Sequence, residues 1–510
     1  MVLFEAGKTY LTATITLSNS VHMYLPRNST LALGDKREDF GPTQATWYLV
    51  MFDQCTDCSI TGKGRLDGRG RAWVTGRDPG REWIKAVRNF KDPSCVHTFE
   101  CRPRLLGVKD SSRVHIAGLE LFDSIYWTLH IIGSHTVTVQ DVAVNNDFEI
   151  PNNDGVDIDS SKLVWISGMN ITAWDDGMCI KATYPGVSTE DVLVENTTIH
   201  SRASAVKVGT EGVANFRNLV FQNIDIVDSH RGLSIQLRDN GTIEDVLFEN
   251  ITMTLRQYVG DEWGNAEPIY ITALPRTAGT KNGAISDVTF RDITATAESG
   301  ILVIGSHDST VENLAIVNMT LDIEKLTDVP GGVHDLRPST FDIVHNVSDD
   351  AIYLENANHI NITNMKVTWG TPRKDTWGQL LNVKPGTVHA LTLQGLVAHD
   401  ESAHPHAHGD GPEARQKLLP VWALTQASRG VVEWVRSLRA RASQGSGSLS
   451  LQENAATGVQ ARNAASSAST IVMSLTGIVL AGILVAHLLD FRLIGRLRSS
   501  GRATMRKVPR

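Results

Sequence analysis

A short apolar unit recurs along this chain, and it restricts the possible folds more than any other feature of the sequence. The unit reads Φ-x-Φ-x-x-Φ-x-Φ, where Φ is apolar, usually with Asn or Asp at a central position. It begins at Val114, Val137, Val164, Val192, Leu219, Val246, Val288, Leu314, Ile360 and Leu391. Successive starts are 23, 27, 28, 27, 27, 42, 26, 46 and 31 residues apart. Alternation within each half puts one strand face inward, and the x-x break marks a bend between two strands. A period in the twenties built from strands means stacked coils that bury a shared core, with insertions confined to loops. The Leu pattern of leucine-rich repeats is absent. The expected fold is all-β, a right-handed parallel β-helix over residues 1–400, with the two long spacings carrying loops.

The character of the chain changes after Asp400. Residues 401–470 read as a flexible linker with short helices: ESAHPHAHGDGPEA breaks the repeat, and GSGSLSLQENAATGVQARNAASSAS is linker composition. His404, His406 and His408 sit in that polar stretch and are read as solvated. A 19-residue apolar stretch opens at Ile471 and closes at Leu489, and is read as a single transmembrane helix. Residues 490–510 form a basic tail, which places the C-terminus in the cytoplasm and the body outside or in a lumen. A body facing outward implies a signal peptide. VLFEAGKTYLTATITL after Met1 does not resemble one, so the natural chain is expected to begin upstream, the alternative being a tail anchor.

The net charge of −8 conceals an asymmetry, because residues 491–510 carry seven Arg or Lys and no acid. The remainder is therefore more acidic than the total suggests, which excludes a general nucleic-acid footprint. Five cysteines are too few for a disulfide-dense scaffold. Cys55 and Cys58 with Cys95 and Cys101 can be read as four zinc ligands, but the wide second spacing favours a local Cys95–Cys101 disulfide, and no metal or cofactor is expected. Eight Asn-x-Ser/Thr sequons, at Asn28, Asn170, Asn196, Asn240, Asn250, Asn318, Asn346 and Asn361, suit a glycosylated secretory-pathway protein. Several lie inside the repeat, where Asn and Thr also serve turns and strands.

The densest group of unusual residues is NNDGVDIDSS at 152–161 followed by WDDGMCIKA at 174–182. Asp154 precedes Asp175 by 21 residues, slightly less than one coil, so both carboxylates can share one exterior face of adjacent coils. Glycosidic cleavage needs a carboxylic acid to protonate the leaving oxygen and a carboxylate to activate water, and a separation of roughly 6.5–9.5 Å leaves room for that water and gives inversion. Adjacent Asp175 and Asp176 repel one another, which raises one pKa. The competing reading is that these residues make turn hydrogen bonds at coil corners. Lys181, Lys207, Glu211, Gln236 and Arg238 are polar residues in or beside apolar strands and are expected to face outward and line a cleft with Asn152. Trp127 is a candidate for stacking on a sugar ring, with His130 and His230 as weaker candidates.

On these motifs the sequence resembles glycoside hydrolase family 28, the polygalacturonase family, over about residues 10–400. NNDGVD is similar to the family's Asn-Thr-Asp-Gly-x-Asp motif, Asp175-Asp176 to its paired Asp, and ITGKGRLDGRG at 60–70 to a glycine-rich segment. The resemblance implies a pectin-lyase-like solenoid acting on pectic, galacturonate-containing glycans, with Asp175 as general acid and Asp154 and Asp176 holding and activating water; the chain is expected to be a monomer. Two departures stand out. The family's Gly-His-Gly-x-Ser-x-Gly segment aligns with ASAVKVG at 203–209, which puts Ser204 at the His position and a cation at Lys207. The Arg-x-Lys motif that grips a sugar carboxylate aligns with Ser234-Ile235-Gln236, with Arg238 two residues on. These changes make exo action or a non-standard sugar an expectation. The competing functions are a cell-surface glycan-binding or adhesion β-helix, which would bind without releasing product, and a polysaccharide lyase, which would leave unsaturated products.

Overall fold

The structure is a computed structural model that describes residues 1–42, 44–74, 102–258, 264–277, 279–331, 349–370 and 377–400. These residues lie in one compact unit, Met1–Gly445. They form two sheets whose strands all pair in parallel, one of 19 strands and one of 12. Each turn of the chain adds to both sheets, which is the parallel β-helix expected from the repeat.

The ten unit starts fall in a single registered column. Val114 pairs with Val137, and the pairing continues through Val164, Val192, Leu219, Val246, Val288, Leu314 and Ile360 to Leu391. The two long spacings leave this register intact. Insertion therefore costs the ladder nothing, as expected where coils touch only their neighbours.

The break inside each unit has a backbone cause. Asn196, Asn223, Asn250, Asp292, Asn318 and Asn364 occupy its second central position with φ between 52° and 58°. Asn and Asp tolerate this left-handed conformation better than other side chains. The strands Phe216–Ser229 and Ile243–Leu255 are thereby bent without being broken. The bend asparagines also form ladders: Asn250 donates to Asn223 at 2.8 Å, Asn318 to Asp292 at 2.9 Å and Asn364 to Asn318 at 3.0 Å. Three sequon asparagines, Asn196, Asn250 and Asn318, are among these bend residues.

Inward-facing apolar side chains stack coil on coil. Phe221, Phe248 and Phe290 lie nearly parallel, with ring centroids 4.9 and 4.8 Å apart. Cys55 and Cys58 are joined as a disulfide, so the reading of these two as half of a zinc set is overturned: oxidised sulfur cannot serve as a thiolate ligand. Cys95 and Cys101 lie outside the described residues, as do the linker, the apolar stretch at 471–489 and the basic tail. Among the described residues no helix is long and apolar enough to cross a membrane.

Phe248 is fully buried between two rings. Phe248→Ala is expected to lower stability by about 3–5 kcal/mol. The denaturant midpoint of the purified chain checks this, and an unchanged midpoint would show that the stack does not hold the coils together.

Candidate active site

The smaller sheet carries the chemistry on its outward face. In the strands Val156–Asp159, Met178–Ala182, Ser204–Gly212 and Arg231–Leu237, the residues Val156, Ile158, Met178, Ile180, Val206, Val208, Leu233 and Ile235 enter the core. The residues between them face outward. One such column runs His130, Asp157, Cys179, Lys207, Ser234, Tyr270. The polar residues that interrupt these strands in sequence therefore face away from the core.

Asp154, Asp175 and Asp176 sit just before these strands, where the chain turns into the sheet. Backbone bonds stack the coils there: Thr128 N–H donates to Asp154 O, Gly155 N–H to Asp176 O and Gly177 N–H to Ser204 O, all at 2.9 Å. The glycine after each acid permits this approach. A Cβ at Gly155 would lie 2.4 Å from Gly177 O, and one at Gly177 would lie 2.4 Å from an Ile199 methyl. One oxygen of each of Asp154, Asp175 and Asp176 lies within 4.8 Å of the others. This is tighter than the separation anticipated for an inverting pair, because Asp175 and Asp176 adjoin in sequence and Asp154, one coil back, inherits the roughly 4.8 Å spacing of paired strands.

Each acid has its own surroundings. Asp175 accepts from its neighbour's backbone, Asp176 N–H at 2.9 Å, and from Asn152 Nδ2 at 3.2 Å. Asn152 is oriented by buried Arg102, whose Nη2 donates to Asn152 Oδ1 at 2.8 Å, so its amide nitrogen must face the carboxylate. Burial brings the Arg102 guanidinium down to about 10. Asp176 receives Lys207 Nζ at 2.6 Å and Ser204 N–H at 3.1 Å. Asp154 is buried, with Oδ1 lacking a hydrogen-bond partner. Burial, reinforced by Asp157, Asp175 and Asp176, pushes its carboxyl well above the usual range.

Lys181 and Glu211 form a second pair beside the first. Lys181 Nζ donates to Glu211 Oε2 at 2.8 Å, stands 3.7 Å from Asp157 Oδ1 and lies 4.9 Å from the centre of the Trp127 ring. Burial opposes its charge, but Cys179, Glu211 and Asp157 hold its ammonium well above the ordinary value. Burial would likewise raise the Glu211 carboxyl, and Lys181 instead holds it far below its usual range. Trp127 has Tyr126 stacked against it at 5.2 Å, with the Arg104 guanidinium 4.8 Å from its ring centre. Gln236 and Ser234 are buried, and Gln236 Oε1 and Ser234 Oγ have no hydrogen-bond partner. Arg238, also buried, ends the same strand face. His130 bonds Tyr48 Oη through Nδ1 at 2.9 Å, and burial takes its imidazole down to about 4. His230 bonds the Arg202 carbonyl at 3.2 Å.

Asp157 was not singled out by the sequence reading, although it closes the NNDGVD motif. It is 0% exposed and neither carboxylate oxygen has a hydrogen-bond partner. Burial raises its carboxyl to about 8, against the pull of Lys181. Period-two alternation from Val156 was the available signal, since it turns Asp157 to the same face as Lys207. Arg102 had no such signal, as it belongs to no repeat unit. Asp154, Asp157 and Cys179 also bring one donor atom each within 4.8 Å of one another, as a cation would require. The ammonium of Lys181, 3.7 Å from Asp157 Oδ1, already supplies positive charge there.

Asp157 makes stability depend on pH. Between about 4 and 8 the folded chain holds a proton that the unfolded chain has released, so stability falls as pH rises through this window. Asp157→Asn removes the proton and is expected to flatten that slope, gaining a few kcal/mol over wild type at pH 8 and little at pH 5. Denaturant midpoints at the two pH values check this, and identical slopes would refute it.

The sequence profile described as "Glycosyl hydrolases family 28" matches residues 34–330, more than half of the chain. A polygalacturonase of Juniperus ashei is 25% identical over 301 residues, covering 55% of this chain and 54% of that protein. The chain spans about half the length of the curated relatives it matches. Two solved structures share the fold: an exopolygalacturonase from Thermotoga maritima and a polygalacturonase from Erwinia carotovora. The first has a TM-score of 0.52 at 20% identity, covering 63% of this chain and 79% of its own. The second has a TM-score of 0.51 at 19% identity, covering 63% and 85%.

Proposed function

Because the chain belongs to glycosyl hydrolase family 28, we propose that its β-helix hydrolyses α-glycosidic bonds of pectin-like, galacturonate-containing polysaccharides or oligosaccharides, by inversion and from chain ends. The observation that carries the hydrolase reading is the gathering of Asp154, Asp175 and Asp176 within 4.8 Å; inversion rests on the resemblance to the family and not on this spacing, which is shorter than the roughly 6.5–9.5 Å of the general inverting arrangement. Such a triad supplies both a proton donor and a base, which glycoside hydrolysis requires.

Asp175, oriented by Asn152, donates its proton to the glycosidic oxygen as the bond from C1 breaks. A water held between Asp154 and Asp176 attacks C1 from the opposite face and gives up a proton to Asp176, the acid paired with Lys207, while Asp154, whose carboxyl burial pushes upward, orients that water. The new C1–O bond replaces the broken one, and the leaving sugar departs with the proton from Asp175. Asp176 already accepts bonds from Lys207 and Ser204, which suits it to holding water better than to attacking carbon. Exo action accords with Ser234 and Gln236, which leave the strand without the charged clamp of an internal subsite.

Asp175→Asn is expected to lower kcat about 10²–10⁴-fold on pectic oligosaccharides while the melting temperature stays near wild type. Release of single sugars with the inverted anomer formed first supports the full reading, and undiminished turnover by the variant would sink it. We further propose that the apolar stretch at 471–489 anchors this unit in a membrane, facing outward or into a lumen. Full-length protein should then resist alkaline extraction from membranes, and extraction equal to that of a chain ending at residue 470 would overturn the anchor.

A further inference from the structure

We propose that Lys207 is a positioning residue: its ammonium holds Asp176 in the water-binding pose and does not itself grip the sugar. This rests on the hydrolase reading above. The side chains of Lys207 and Asp176 are 4% and 2% exposed, with Nζ 2.6 Å from Oδ2. The strand that carries Lys207 also supplies the Ser204 N–H to Asp176 Oδ1. One strand thus clamps both carboxylate oxygens, from the coil that follows Asp176.

The charges around Asp176 explain why a full cation is needed. Asp154 and Asp175 lie within 4.8 Å, and burial favours the protonated, neutral forms of Asp154, Asp157 and Cys179, so in this buried cluster the charge of Asp176 is met by Lys207. Lys181 cannot replace Lys207, because it is engaged by Glu211 and Asp157. Glu211 also senses Lys207 but bonds Lys181. Removing one partner of a buried pair leaves the other as an uncompensated charge, which the site relieves by taking up a proton. A protonated Asp176 can no longer accept a proton from water.

The test uses Lys207→Gln, which keeps a hydrogen-bond donor without charge, and Lys207→Arg, which keeps the charge. Lys207→Gln is expected to lower kcat about 10–100-fold with KM within about two-fold, and to move the acidic limb of kcat/KM upward by about one pH unit or more. Lys207→Arg should return the limb towards its wild-type position. A loss confined to KM, or a limb that does not move in Lys207→Gln, would overturn the assignment. If wild type cleaves no pectic substrate, the hydrolase reading falls by itself and Lys207 is judged by stability. In Lys207→Gln the unpaired, buried Asp176 holds a proton that the unfolded chain releases above about pH 4, so the variant loses stability relative to wild type as pH rises from there. The unfolding deficit of Lys207→Gln should then be large near pH 7 and shrink towards pH 4, whereas a deficit independent of pH would refute the pairing.

Discussion

The parallel ladder between successive coils is the constraint on which the rest depends. Each coil pairs with the next in register, at the roughly 4.8 Å separation that backbone hydrogen bonds impose. The stacking of Phe221, Phe248 and Phe290 at 4.9 and 4.8 Å follows from it. So does the distance of Asp154 from Asp175 and Asp176 on the next coil. A fold of this kind cannot choose the spacing of its acids freely; it can choose only which coil and which face carries them.

This explains the two glycines after the acids. Gly155 and Gly177 lie where a side chain would meet the next coil's carbonyl or a core methyl. Without them the coils would separate at the very place where Asp154 and Asp176 must be neighbours. The Asp-Gly and Asp-Asp-Gly runs are therefore one device: the glycine permits the contact and the aspartate uses it.

Crowding several acids at one coil spacing carries an electrostatic cost, met here in two ways. Burial raises the carboxyls of Asp154 and Asp157, reinforced at Asp154 by Asp157, Asp175 and Asp176 and at Asp157 by Asp176 and Glu211. The other acids take up lysines: Lys207 lies on Asp176, and Lys181 on Glu211. The two lysines expected at the cleft wall are thus directed at acids of the protein itself. A sugar carboxylate would have to be met by other means, which accords with the missing Arg-x-Lys pair.

The repeat was fully legible because a unit that buries alternate residues must write that alternation into the chain, and every start from Val114 to Leu391 falls in one column. Coils before Val114 were less legible. Tyr48–Asp53 is a nearly continuous apolar run, and the pairing of Cys58 with Val114 bridges a gap of 56 residues. Asp154, Asp175 and Asp176 could be placed together from spacing alone. By itself the sequence determined the coil, the face on which polar residues appear and the identity of the acids, because these depend on period and residue type. Only the tertiary structure decided that Lys207 meets Asp176, that Arg102 orients Asn152, that Asp157 is sealed in without a hydrogen-bond partner and that Cys55 joins Cys58. Those outcomes depend on which side chains from different coils share a few ångströms of buried space, and no periodicity records that.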